Sequence, residues 1–219
     1  YPYQRTFIFP NPDDPKSGMN SPYPLLTNEY YQTMISRLHN FDGTYTEPGN
    51  VYFLRYMKPS ASGLNAPVVV GGSQTNYTAG KALANSFNAQ ENPQYDVILA
   101  NFGYTDPVEP VPALSHYRLI YESSTRITPT DMHDLRYVKI FEHVKGAQIP
   151  GEGMLELPIK ANTGREFIYR TQSINGTFTV PYPTETTIGA VTIPGKYRNI
   201  KTGTEYQVTE EQVSGGQSI

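Results

Sequence analysis

The side chains able to do acid–base or metal chemistry are few and scattered. Histidines stand at His39, His116, His133 and His143. Only Asp131 and His133 sit at a spacing suggestive of paired ligands, with neither a His-x-x-x-His pair nor a supporting cluster nearby, so a four-coordinate site lacks its remaining donors. Glu152 and Glu156 flank a strand-like run. Glycoside hydrolysis needs two carboxylates held at a set separation across a cleft, whereas a strand edge accounts for the same residues as solvated surface. Gly71 and Gly72 lead into Ser73 with no lysine behind them, and no Gly-x-Ser-x-Gly occurs; phosphate-cradling loops and nucleophile elbows need those residues, so the glycine pair reads as a flexible turn. No catalytic, cofactor-binding or metal-binding residue is assigned. Two Asn-x-Thr triplets, Asn76-Tyr77-Thr78 and Asn175-Gly176-Thr177, lie in or beside turns, which makes Asn76 and Asn175 candidate glycosylation acceptors in a glycosylating compartment.

Composition narrows the setting in which such residues work. With 219 residues the chain can bury a core as one large domain or two small ones, and with no cysteine it holds neither disulfides nor thiolate metal sites. A formal charge of -3 and no cluster of Lys and Arg argue against nucleic acid as a partner. Only 17% of residues are charged, while 18 Tyr, 18 Gly and 19 Pro point to strands joined by many turns, a composition that suits work outside the cytoplasm. The longest apolar runs, such as residues 66–70, fall far short of the ~20 residues a spanning helix requires.

The elements that must position these groups follow from periodicity. Residues 1–26 carry six prolines with one short strand-like run at 5–9, since proline removes a donor and biases its predecessor away from helix. Thr27 is a good N-cap, and Tyr31, Met34, Ile35, Leu38 and Phe41 recur at helical spacing up to Gly43, predicting one helix over 28–41. A strand over 51–57, a brief strand at 68–70, a helix over 77–90 weakened by Gly80, and a strand over 95–100 follow. The runs 116–121 and 136–142 read as two half-buried strands separated by a polar excursion containing Pro129. Beyond Gly153, strands at 154–159, 166–172, 177–182, 188–193 and 205–208 alternate with turns, the spacing of a sandwich or barrel. Residues 214–219 read as a disordered tail. The expected fold is α+β: an N-terminal mixed helix/strand part over 1–113, then an all-β sandwich- or barrel-like domain over 114–219.

Tyr30 and Tyr31 with Phe41, Asp42 and Gly43, then residues 111–123, residues 137–147, and the stretch from Asn162-Thr163-Gly164-Arg165 through Tyr182, resemble one known family. They are similar to the C-terminal, outward-facing region of the archaeal oligosaccharyltransferase catalytic subunit, the AglB family. The resemblance runs from about Tyr30 to the end and is strongest over 111–182. It implies a parent whose multi-spanning membrane half binds a dolichyl-phosphate-linked oligosaccharide and a divalent metal, Mg or Mn, and whose soluble half recognises Asn-X-Ser/Thr acceptors. In that family a Trp-Trp-Asp motif carries acceptor recognition, followed by an Asp and a Lys closely spaced on a helix. This chain has no tryptophan. Asp13-Asp14-Pro15-Lys16 is the nearest spelling of the second motif, and Pro15 would break such a helix. The resemblance therefore implies a scaffolding piece on the extracytoplasmic face, without cofactor of its own, whose partners are the membrane half and sequon-binding region of the same polypeptide and, through the parent, acceptor protein and lipid-linked oligosaccharide. Two other classes fit the composition: a secreted carbohydrate-binding sandwich, which requires coplanar exposed tyrosines, and a surface-layer module, which requires self-association and occupied sequons.

Overall fold

The computed structural model describes residues 3–10, 21–127 and 134–219. Its elements run β1 (Gln4–Phe9), β2 (Ser21–Leu26), α1 (Asn28–Gln32), α2 (Met34–His39), β3 (Asn50–Met57), α3 (Pro59–Ser62), β4 (Val68–Asn76), α4 (Tyr77–Asn88) and β5 (Tyr95–Ala100). They continue as β6 (Tyr117–Glu122), β7 (Lys139–His143), β8 (Ala147–Pro150), β9 (Met154–Lys160), β10 (Glu166–Gln172), β11 (Thr177–Val180), β12 (Thr186–Ile188), β13 (Val191–Ile193), β14 (Tyr197–Asn199), β15 (Glu205–Tyr206) and α5 (Glu210–Gly215). The class is α+β with a β-rich second part. No helix among the described residues is long and apolar enough to cross a membrane. Contacts divide the chain into two units: residues 1–33 with 47–110, and residues 34–46 with 111–219.

The first unit is a five-stranded sheet in the order β2-β1-β4-β3-β5, antiparallel except where β1 meets β4 at Ile8 and Val68. Alternation on β3 sorts its side chains to two faces. Leu54 and Tyr56 join Phe7, Leu25, Val69 and Ala100 in one buried cluster, while Val51 faces α4 on the other side. Gly80 explains how α4 seats there: a Cβ at this position would lie 2.9 Å from Thr75, 3.1 Å from Val51 and 3.2 Å from Leu99. The missing side chain is what lets the helix approach the sheet. Gly71 and Gly72 form part of β4 and not a flexible turn; the strand bulges at Val70, where Arg55 pairs with Gly71 and Tyr56 with Val69. Gly72 sits against Leu54, with a Cβ excluded at 2.6 Å from its Cδ2.

The single helix expected over 28–41 is two short ones. Thr33 adopts an extended backbone (φ -64°, ψ 150°), and its hydroxyl donates to the Tyr30 carbonyl at 2.8 Å, a local bond that competes with helix continuation. The apolar residues accordingly part company: Tyr31 is fully buried in the first unit, whereas Ile35 is 79% exposed.

In the second unit β9 is the central strand. It pairs with β10 along seven residues, from Glu166 opposite Lys160 to Gln172 opposite Met154, and also with β13 and β14, giving the order β12-β13-β9-β14-β15 with β10 joined at β9. β8 pairs with β11, and β6 with β7. Leu155, Leu157 and Ile159 alternate inward from β9 and meet Ile149, Phe178, Val180, Val191 and Ile193, each such burial contributing about 1.5–3 kcal/mol. Tyr169, Tyr182 and Tyr197 are fully buried among them. Tyr197 donates its hydroxyl to the Tyr182 carbonyl and accepts from the Tyr182 N–H, both at 3.1 Å, and the Tyr182 hydroxyl accepts from the Leu119 N–H at 2.7 Å. The buried hydroxyls of Tyr182 and Tyr197 are thereby satisfied.

Residues 214–219 are ordered, contrary to the disordered tail read from sequence. Thr209 and Gln212 form a reciprocal capping box at the start of α5, and Val213 is buried. Past Gly216 the chain lies along β8, with Gln148 donating to the Gln217 carbonyl and Ile219 to the Gln148 carbonyl.

Candidate functional site

Among the described residues, a dense gathering of ionisable groups lies in the second unit, and chain segments far apart in sequence build it. After α2 the backbone turns left-handed at Asp42 (φ 55°) and Gly43 (φ 71°), with Asp42 and Gly43 donating back to the carbonyls of Leu38 and Arg37. This helix-ending turn aims the Asp42 carboxylate inward. Lys139 on β7 donates to it at 2.7 Å, and Arg165 in the β9–β10 turn donates through both terminal nitrogens at 2.8 and 2.9 Å. Arg165 also reaches Glu122 at the end of β6, at 2.5 Å from Nη2 and 3.0 Å from Nε. Glu122 is entirely buried. Its carboxylate accepts a further bond from Thr163 and lies 3.6 Å from the Arg136 Nε. Asn162 bonds both backbone groups of Glu122 at 2.9 Å, and Lys139 adds a bond to the His39 carbonyl. Two carboxylates thus meet three cations.

Electrostatics assign this node a structural task. Burial alone would raise the Asp42 carboxyl, but Lys139 and Arg165 outweigh it and hold the group below the usual carboxylate range. For Arg165 burial would favour the neutral form, and its bonds to Asp42 and Glu122 overcome this and raise it. A general acid or base needs a pKa near the working pH and access to substrate. Here the carboxylates are clamped in charge-assisted bonds away from solvent. A second lock has the same character: Arg118, nearly buried, pairs with Glu142 on β7 and with both oxygens of Glu210 on α5.

The β6–β7 ribbon that supplies Glu122 and Lys139 inverts the usual arrangement. Glu122 faces Lys139 across the ribbon and Tyr121 faces Ile140, so alternation puts the charges inside and the apolar pair outside. Ile140, Val138 and Tyr121 are each more than 40% exposed.

The other groups singled out from sequence are dispersed. Glu156 accepts from Arg170 at 2.7 Å on the surface, and Glu152 is exposed. His116 and His143 stack at 6.2 Å between centroids, with His116 Nδ1 2.9 Å from the Lys145 carbonyl oxygen, and His39 lies beside Asn40. Asp131 and His133, like Asp13 and Lys16, lie outside the described residues. Among the described residues no three His, Asp or Glu side chains gather so as to hold a metal ion, so the divalent metal implied for the parent finds no fitting ligand set here. Asn76 caps α4, its side-chain oxygen accepting from the Ala79 N–H at 2.9 Å, and borders an open groove of about 670 Å³ with Glu47, Asn50, Tyr77, Thr78 and Pro110. Asn175 stands at the tip between β10 and β11.

A carbohydrate platform would require coplanar exposed tyrosines. In the first unit Tyr23 meets Phe102 at 68° and Phe9 at 85°, and Tyr52 meets Phe102 at 74°. Set edge to face, these rings do not lie in one common plane.

What sequence reasoning missed is the node itself. Asp42 and Arg165 are far apart in the chain, and neither carries a local signal beyond Asp-Gly after a helix.

Residues 143–219 match the family model of the archaeal glycosylation protein B long peripheral domain. The chain is similar to dolichyl-phosphooligosaccharide-protein glycotransferase 3 of Archaeoglobus fulgidus, 29% identical over 222 residues, covering 94% of this chain and 24% of the relative. Among solved structures it is similar to the Archaeoglobus fulgidus oligosaccharyltransferase crystallised with Zn and sulfate (TM-score 0.49, 20% identity, 99% of this chain and 29% of that one). Another is the oligosaccharyltransferase AglB of the same organism with an inhibitory peptide and a dolichol-phosphate (TM-score 0.49, 22% identity, 99% and 26%). The chain spans about a quarter of the length of the curated relative. The family match over β8 to α5 and a relative aligned along almost the whole chain both support a likeness to the C-terminal region of archaeal AglB.

Proposed function

We propose that this chain is the outward-facing terminal part of an oligosaccharyltransferase that moves a dolichyl-phosphate-linked oligosaccharide onto the Asn of Asn-X-Ser/Thr sequons. Its own task is to hold the sequon-binding region in shape, on the extracytoplasmic face of the membrane. The relative's name, a dolichyl-phosphooligosaccharide-protein glycotransferase, supports the reaction. The β6–β7 ribbon supports the scaffolding role: its charged face is closed inward on Asp42 and Arg165, which leaves Tyr121, Val138 and Ile140 to face a neighbour. An exposed apolar ribbon face on a rigid base is the form of a packing surface. The Mg or Mn of the parent belongs in this reading to residues of its membrane half, together with the bound lipid-linked oligosaccharide.

A transfer assay tests it. The chain alone, given a sequon peptide, lipid-linked oligosaccharide and Mn, yields no glycopeptide, and the parent enzyme does. In the parent, Ile140→Asp with Val138→Asp lowers transfer while the isolated chain carrying the same changes keeps its melting temperature. Glycopeptide made by the isolated chain, or a parent indifferent to the double change, refutes the reading.

A further inference from the structure

The two sequons differ in geometry, and the difference separates one as a modification site. Asn175 (φ 52°) and Gly176 (φ 77°) are the two central residues of a tight hairpin turn closed by Ile174 and Thr177, which exchange backbone bonds of 2.8 and 3.1 Å. Two left-handed residues in succession define the type I′ turn, and Asn-Gly is its preferred pair. The Asn175 side chain is exposed and makes no hydrogen bond among the described residues. Asn76, by contrast, is held against the first turn of α4 by its bond to Ala79, with Thr78 inside the helix and the walls of the groove beside it. Freeing the Asn76 carboxamide for an enzyme means giving up that N-cap and loosening the helix start.

We infer that Asn175, and not Asn76, is an N-glycan acceptor. In the reaction the Asn175 Nδ2 forms a bond to C1 of the first sugar of a polyprenyl-phosphate-linked oligosaccharide. The bond between that C1 and the phosphate oxygen breaks, polyprenyl phosphate leaves with the electron pair, and one Nδ2 proton passes to a base of the transferring enzyme. The product leaves the turn intact, because the carboxamide takes no part in it and the glycan extends into solvent. Placement of the chain on the outer face rests on the function proposed above; the choice of residue rests on the turn.

Two arms test this separately. In the first, the protein is expressed in an archaeal host that glycosylates a reporter sequon, digested with trypsin and mapped by mass. The peptide 171–196 carries a sugar increment and 56–81 does not; Asn175→Asp, which retains the turn preference, and Thr177→Val, which retains shape but not the hydroxyl, abolish the increment, and Asn76→Gln leaves it. In the second, the purified folded chain is incubated with oligosaccharyltransferase-containing membranes and lipid-linked oligosaccharide. Modification of 171–196 in the second arm but not the first overturns the outward placement and upholds the site. An increment on 56–81 in place of 171–196, or none on 171–196 in both arms while the reporter is glycosylated, overturns the site.

Discussion

The two units solve the same packing problem with different chemistry. The first closes its sheet with apolar and aromatic contacts and a helix pressed close at Gly80; the second has a larger apolar core and, beyond it, ties its β6–β7 ribbon, the 34–46 segment and the β9–β10 turn together through buried ions. Nearly half-exposed apolar side chains on the outer side of that ribbon are the counterpart of charges inside. Apolar packing tolerates substitutions that conserve volume. A buried ion node does not, because removing one member leaves the others charged and dry. The second unit should therefore be the one that fails abruptly when a single charge is deleted.

Arg165→Met is the strongest test. It strands Asp42 beside Lys139 alone and leaves Glu122 facing Arg136 at a distance longer than a hydrogen bond. A loss of about 3–5 kcal/mol is expected, read as a fall in the urea midpoint of the second unit with little change in the first. A matched apolar truncation in the first unit, such as Val69→Ala, should cost less. The same node sets an acid limit. Because Asp42 is held below its ordinary value, its stabilisation is present above the unfolded carboxylate range and is lost as pH falls through its depressed value. Unfolding followed from pH 6 down to pH 2 should show the second unit losing stability in that acid window, and Asp42→Asn should flatten this part of the profile.

Tyr197→Phe comes next. It removes the hydroxyl that serves both backbone groups of Tyr182, leaving a buried donor and acceptor without that partner, at a cost of about 1–3 kcal/mol. Thermal unfolding of the variant measures it. An unchanged melting temperature would mean that the buried tyrosines contribute by their rings alone, which would bring the second unit closer to the first in kind.

How legible this was in the chain depends on range. Alternation over Leu155, Leu157 and Ile159, and over Tyr169 and Thr171, states strands and their inward face without help from tertiary structure. Strand β4 runs on through Gly71 and Gly72, with Leu54 filling the space that a side chain at Gly72 would take, and nothing local in a glycine pair distinguishes a packed strand from a turn. The helix break at Thr33 comes from one hydroxyl bond that competes with a sound apolar period. The ordered end of the chain depends on Gln148 as the partner for Gln217 and Ile219, and residues 34–46 join the second unit through Asp42. These are contacts of long sequence separation. The candidate acceptors were legible as triplets, but their difference was not, since it resides in a helix cap at Asn76 and a turn at Asn175.

Gly80→Ala probes the first unit on its own terms. In an exposed helix the change would gain about 1 kcal/mol. Here the new methyl meets three side chains at 2.9 to 3.2 Å, and overpacking costs about 1–3 kcal/mol, so the sign reverses and the variant is less stable by about 1 kcal/mol in urea titration. A stabilised variant would show that α4 can lift from the sheet at little cost.

The smallest effect sharpens the comparison most narrowly. Lys160 and Glu166 pair at 3.1 Å across β9 and β10 with both side chains more than half exposed, and Lys81 pairs with Glu109 at 3.4 Å in the first unit, also well exposed. Neither pair is desolvated, so each contributes no more than about 0–1 kcal/mol, decreasing with salt. Lys160→Ala and Lys81→Ala should both shift stability by only a few tenths of a kcal/mol, and the shifts should shrink further at 1 M salt. The Arg165→Met loss should persist at that salt, because screening ions do not enter the node. If it faded along with the surface pairs, water would be reaching Asp42 and Glu122, and the contrast between a packed unit and an ion-locked one would collapse.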